Sequence, residues 1–129
     1  MKTKDDVEAL EKLIGQLQGL HDEITQLAKK SPNDGLNPFK LKLVNKVLES
    51  ANGLLAGRYR PFDDFDSFQV DDLPSNSDVT MILAQYMEQT ERFRSDNVEL
   101  DRGRWFYKIN GKLSDVPSRG PTRVGADRK

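Results

Sequence analysis

A mainly α (α+β) fold is what this 129-residue sequence predicts: an antiparallel helical hairpin plus a third helix, with a C-terminal two-stranded β-hairpin. Three observations carry that expectation. An apolar heptad stripe runs through residues 5–29, an Asn-Pro pair opens a second stripe soon after, and near the C-terminus the apolar period changes from helical to two around an Asn-Gly pair.

The first element is a helix from about Asp5 to Lys29. Val7, Leu10, Ile14, Leu17 and Ile24 fall at a and d of a coiled-coil-like heptad, and Leu13, Leu20 and Leu27 at g. Lys29 and Lys30 suit the negative end of the helix dipole, and "SPNDG" breaks the chain. Asn37 then supplies an N-cap acceptor before Pro38, which needs no N–H at the first helical position. Leu41, Val44, Val47, Leu48, Ala51, Leu54 and Leu55 line one face, and Gly57 suits the position after the C-cap. The short link makes the two helices antiparallel neighbours.

Residues 58–76, "RYRPFDDFDSFQVDDLPSN", are longer than an ordinary connection. Tyr59, Phe62, Phe65 and Phe68 recur every third residue with Asp63, Asp64 and Asp66 between them. Burying four aromatics is worth roughly 6–12 kcal/mol, comparable with a domain's whole net stability, so they either plug the open side of the helical hairpin or anchor a partner. A third helix starts near Ser77 as N-cap. Val79, Ile82, Leu83, Tyr86, Met87, Thr90 and Phe93 form its apolar face, and it frays near Ser95.

The hairpin comes last. Asn110-Gly111 suits a type I′ turn, which needs positive φ at both central residues. A two-residue loop places Ile109 opposite Lys112, Tyr107 opposite Ser114 and Trp105 opposite Val116. One face then carries Trp105, Tyr107, Ile109 and Val116; the other carries Arg104, Phe106, Lys108, Leu113 and Asp115. A lone ribbon is marginal in water, so the first face packs on the helices. From Pro117 onward the chain reads as a flexible basic tail, dividing the sequence into a domain of residues 1–117 and a tail of residues 118–129.

Composition narrows the function. The absence of cysteine removes disulfides, thiolate nucleophiles and Cys-ligated zinc. The first ten residues carry charges where a signal peptide needs an apolar stretch, and no run reaches transmembrane length, so the expectation is a cytoplasmic or virion-interior protein with no membrane role. The net charge of −1 hides a dipole. Residues 102–129 carry eight basic and two acidic side chains, and the remainder twelve basic and nineteen acidic. Such a basic end seeks an external polyanion or folds onto the acidic loop around Asp63, Asp64, Asp66, Asp71 and Asp72.

Chemistry finds little purchase. The aspartate cluster lacks the Gly and bidentate Glu of an EF-hand loop, and it reads as a solvated acidic loop. His21, the one histidine, sits on the apolar stripe with no nucleophile or orienting motif nearby in sequence. No enzyme activity, metal or cofactor is expected. The expected function is a protein-interaction (adaptor or assembly) module, self-associating through the excess apolar width at Leu13, Leu20 and Leu27. Tyr59, Phe62, Phe65 and Phe68 are the further candidates for contact with a protein partner. The alternative is an accessory nucleic-acid binder: Phe106 stacks on a base while Arg102, Arg104, Lys108, Lys112, Arg119 and Arg123 meet phosphates. A sequence pI near 5.8 weighs against that alternative.

Overall fold

Thr3 starts the first helix through a capping box: its hydroxyl accepts from the Asp6 N–H, and the Asp6 side chain accepts from the Thr3 backbone. The backbone N–H groups of Lys2 and Thr3, both donating to the Asp6 carboxylate, hold it below its usual value. The structure is a computed structural model that describes residues 1–122. Within them lie three α-helices, α1 (Lys4–Lys30), α2 (Pro38–Leu54) and α3 (Asn76–Ser95), followed by strands β1 (Val98–Asp101), β2 (Arg104–Ile109) and β3 (Lys112–Pro117). Asn37 caps α2 from its side chain and Pro38 sits in the first turn, as the sequence predicts. The cap of α3 is Ser75, two residues earlier than expected, because Ser75 and Asp78 form a second capping box and Ser77 falls inside the first turn.

The core is one apolar stripe from each helix. Leu13, Leu17 and Ile24 of α1 meet Leu41, Val44, Leu48 and Ala51 of α2 and Val79, Leu83, Tyr86 and Phe93 of α3. α1 packs most extensively on α3 and also on α2, so its wide stripe is shared between two helices. A smaller cluster of Val7, Leu10, Val98 and Tyr107 joins the beginning of α1 to the sheet, with Trp105, Ile109 and Val116 at its edge. The inner face expected for the hairpin therefore packs on helices.

The sheet is antiparallel with order β1-β2-β3, which corrects the two-stranded expectation. β2 is the central strand, and β1 supplies the missing neighbour through a second two-residue turn at Arg102-Gly103, with φ of 51° and 81°. Asn110-Gly111 makes the other turn at 57° and 76°, and Ile109 lies opposite Lys112. Beyond that the register departs from expectation. Lys108 faces Leu113, but Phe106 faces Pro117, so two extra residues of β3 bulge out opposite Tyr107. Ser114 accounts for the bulge: its hydroxyl donates to the Tyr107 carbonyl and accepts from the Val116 N–H.

Arginine at φ 51° is out of place, because only Gly, Asn and Asp visit the left-handed region at little cost. Arg102 is exposed and loses nothing on replacement. Arg102→Asn is therefore expected to raise stability by up to about 1 kcal/mol, measured by urea unfolding. A variant less stable than the parent contradicts the turn geometry.

Candidate functional site

The segment between α2 and α3 is built, rung by rung, against α2. Asn45 and Asn52, seven residues apart, share one side of that helix. Asn45 reads the Phe68 backbone in both directions, donating to its carbonyl at 3.0 Å and accepting its N–H at 2.9 Å. Asn52 donates to the Asp66 carbonyl at 2.9 Å while accepting the Tyr86 hydroxyl at 2.6 Å. Burial pushes the Tyr86 phenol up, keeping it a donor to Asn52. Arg60 closes the loop on itself through the Phe65 carbonyl and the Asp66 carboxylate. Short 3₁₀ turns, Gly57–Tyr59 and Val70–Asp72, bracket the segment.

Its four aromatics lie half-buried along the core. Phe62, Phe65 and Phe68 meet edge to face, with centroids 6.5 and 5.1 Å apart, and Tyr59 meets Phe93 in the same way at 5.3 Å. These rings lean inward, and the aspartates between them point to solvent. At the end of the segment, Leu36 donates to the Pro74 carbonyl, and Gly35 bridges Ser75. Between the Phe68 and Pro74 anchors Leu73 adopts φ 47° and is 73% exposed, and Val70 is 50% exposed, with Asp71 and Asp72 between them.

The other candidate residues fall elsewhere. Leu13 is 3% exposed inside the core, and Leu20 and Leu27 pack half-buried against it. Of the stripe that suggested self-association, Leu13 is thus taken up by the core, while Leu20 and Leu27 remain partly exposed. His21 is half-buried on α1.

The basic aromatic face also changes character. β1 sets Glu99 opposite Phe106 and Asp101 opposite Arg104, so two carboxylates share the outer sheet face with Arg104 and Lys108. Phosphates approaching Phe106 meet as much negative as positive charge there. Arg102 lies in the turn between β1 and β2, Lys112 follows the other turn, and Arg123 lies outside the described residues. Arg119 is 3.9 Å from Glu91 of α3, not near the acidic loop.

Residues 118–122, expected to be part of a flexible tail, are strapped to α3 by Arg94. The Arg94 side chain is 0% exposed, and all five of its N–H donors are used. Nε and one terminal nitrogen meet Glu91 at 2.9 and 2.6 Å, and the terminal nitrogens also reach the Ser118 hydroxyl and the carbonyls of Arg119 and Gly120 at 2.8–2.9 Å. Glu91 also accepts from Ser95 and from the Thr122 N–H. Burial pushes the Glu91 carboxyl up, but the bonds from Arg94, Thr122 and Ser95 outweigh it and hold the group below the usual glutamate value. Gly120 lies against the Trp105 indole, where an added Cβ would approach Nε1 to 3.0 Å.

A cleft of about 510 Å³ opens beside the strap, lined by Arg58, Tyr59, Gln89, Arg92, Asp96 and Thr122 among others. Three of its polar groups pair with one another. The Tyr59 hydroxyl donates to Asp96, and Arg58 donates to both, its guanidinium 4.8 Å above the Tyr59 ring. This network braces the turn after α2 to the C-terminal end of α3, where a cation also suits the helix dipole.

Tyr107 ties the sheet to α1 by donating to Glu11. Burial first, then the Glu11 hydrogen bond, pushes its phenol up to about 12. The folded state therefore keeps a proton that an unfolded tyrosine releases at about 10. The stabilisation is complete below that value and is lost as pH rises through about 12. Urea unfolding should show the parent losing more stability than Tyr107→Phe as pH rises from neutrality through about 10 and above. Parallel losses would contradict the assignment.

Comparison with protein-family models, curated proteins and solved structures finds no match.

Proposed function

We propose that the protein is a non-enzymatic protein-interaction module, and that its contact surface is the outer edge of the 57–74 segment rather than the α1 stripe. One observation carries this reading: an exposed leucine held in a left-handed backbone on an anchored segment. Placing a non-glycine residue there costs about 1–2 kcal/mol, and exposing its side chain forgoes burial as well. Strained backbone of this kind concentrates at functional surfaces, and exposed apolar groups rimmed by polar ones mark docking sites. The neighbouring bonds of Asn45 and Leu36 keep the segment in place, so a partner meets a preorganised edge and little ordering entropy opposes binding.

The test is a photo-crosslinking residue in place of Leu73 in the native host, with the same probe in place of the exposed Gln26 of α1 as control. Discrete adducts identified by mass spectrometry from position 73, and none from position 26, are expected. No adduct at position 73, or the same adducts at both positions, would overturn the reading.

A further inference from the structure

We infer that the partner of this surface is a second copy of the same chain, with the acidic, apolar edge of the segment seated on the basic, apolar outer face of α2. The inference rests on the protein-interaction reading and goes further by naming the occupant.

α2 has three sides. Leu41, Val44, Leu48 and Ala51 face the core, Asn45 and Asn52 hold the segment, and Phe39, Lys42, Leu43 and Lys46 face outward. Phe39 is 71% exposed, second only to Leu73 among the large apolar side chains of the described residues. Phe39 and Leu43 are one turn apart, as are Lys42 and Lys46, so apolar and basic groups interleave along the N-terminal half of the helix. Neither lysine makes an ion pair with a described residue; Lys40, on the side toward α1, is the one paired, with Glu23 at 2.8 Å.

The segment carries the complement. Val70 and Leu73 are its exposed apolar groups, and Asp71 and Asp72 form no ion pair among the described residues. Each surface holds two apolar side chains and two unmatched charges, of opposite sign.

Their placement makes the match reciprocal. The segment runs antiparallel beside α2: Asp66 lies at Asn52, Phe68 at Asn45, and Pro74 at Leu36. Val70 and Leu73 therefore flank the same N-terminal half of α2 that carries Phe39 and Lys42. With the two surfaces side by side, a two-fold axis between two copies sets each segment on the other's α2, and the contact closes as a dimer instead of propagating. α2 is about 25 Å long, and together with the flanking segment it offers room for the roughly 1,200 Å² in total that a weak specific interface buries.

Sedimentation velocity on the full chain tests this. The parent is expected to dimerise reversibly at high micromolar concentration, more weakly as salt screens the charges. Lys42→Glu/Lys46→Glu and Asp71→Lys/Asp72→Lys should each sediment as monomers, with circular dichroism confirming that these surface variants fold. An equimolar mixture of the two should associate again, because one of its two contacts is native and the other fully swapped; the quadruple variant should also dimerise. A parent that stays monomeric, charge reversals that leave dimerisation unchanged, or a mixture that fails to associate would each overturn the inference. If the parent is monomeric but the probe at position 73 crosslinks a different protein, this inference fails and the protein-interaction reading stands. If the probe also yields nothing, both fail.

Discussion

Arg94→Met is expected to lower stability by about 3–5 kcal/mol, the cost of breaking a buried ion pair by removing one partner. The substitution keeps most of the side-chain volume and removes five donors at once. It leaves the largely buried Glu91 carboxylate without its main partner and the Gly120 carbonyl without its donor, while the Arg119 carbonyl keeps only the Ser118 hydroxyl. Urea unfolding measures the loss, and hydrogen exchange should show the amides of Ser118, Arg119, Gly120 and Thr122 opening before those of α3. Removing Glu91 as well should cost less than the two single changes added together, the signature of residues in direct contact. Acid should imitate the variant. Because the folded state depresses the Glu91 carboxyl, its contribution is full above the ordinary glutamate value and is lost as pH falls through the native one. A stability loss below about 1 kcal/mol would mean that the strap is not held by Arg94.

Phe65→Ala is expected to cost about 3 kcal/mol, near the lower end for a phenylalanine removed from a core, because the ring is half-buried. Phe65 is the middle of the three edge-to-face rings, so its loss leaves Phe62 and Phe68 without their shared neighbour. Exchange at residues 66–69 should rise with it, since the bonds from Asn45 and Asn52 depend on the rings keeping the segment seated. An unchanged midpoint in denaturant would show that the segment does not contribute to the core.

Much of this arrangement is legible before any coordinates. The heptad of α1, the Asn37-Pro38 start of α2 and the Asn110-Gly111 turn are local signals, decided by residues within a few positions of each other. β1 is hidden for the converse reason: it has four residues and two apolar side chains, and its turn carries arginine where asparagine or glycine would have marked it. The bulge in β3 depends on one hydroxyl, Ser114, reaching across to another strand. Ser75 was available as a cap, because it stands three residues before Asp78.

The width of the α1 stripe was visible, but its meaning was not, since one apolar surface fits a second copy or a second helix of the same chain equally well. The Arg94 strap joins groups 24 to 26 residues apart, through backbone carbonyls that no side-chain pattern marks. Its one sequence signal is position: Arg94 follows Tyr86 and Thr90 at four-residue spacing on the buried face of α3, where an unpaired charge would be prohibitive. Asn45 and Asn52 left a similar trace, two amides a heptad apart beside an apolar face. The strained Leu73 left none.

Methyl NMR on a dilution series tests the central claim most directly, that the edge of the 57–74 segment and the outer face of α2 form the contact surface. The methyl resonances of Leu43, Val70 and Leu73 should move with protein concentration, while those of Leu13, Leu20 and Leu27 on α1 and of Leu100 and Leu113 on the sheet stay fixed. Concentration-dependent shifts in the α1 leucines or the sheet, with Leu43, Val70 and Leu73 unmoved, would contradict it.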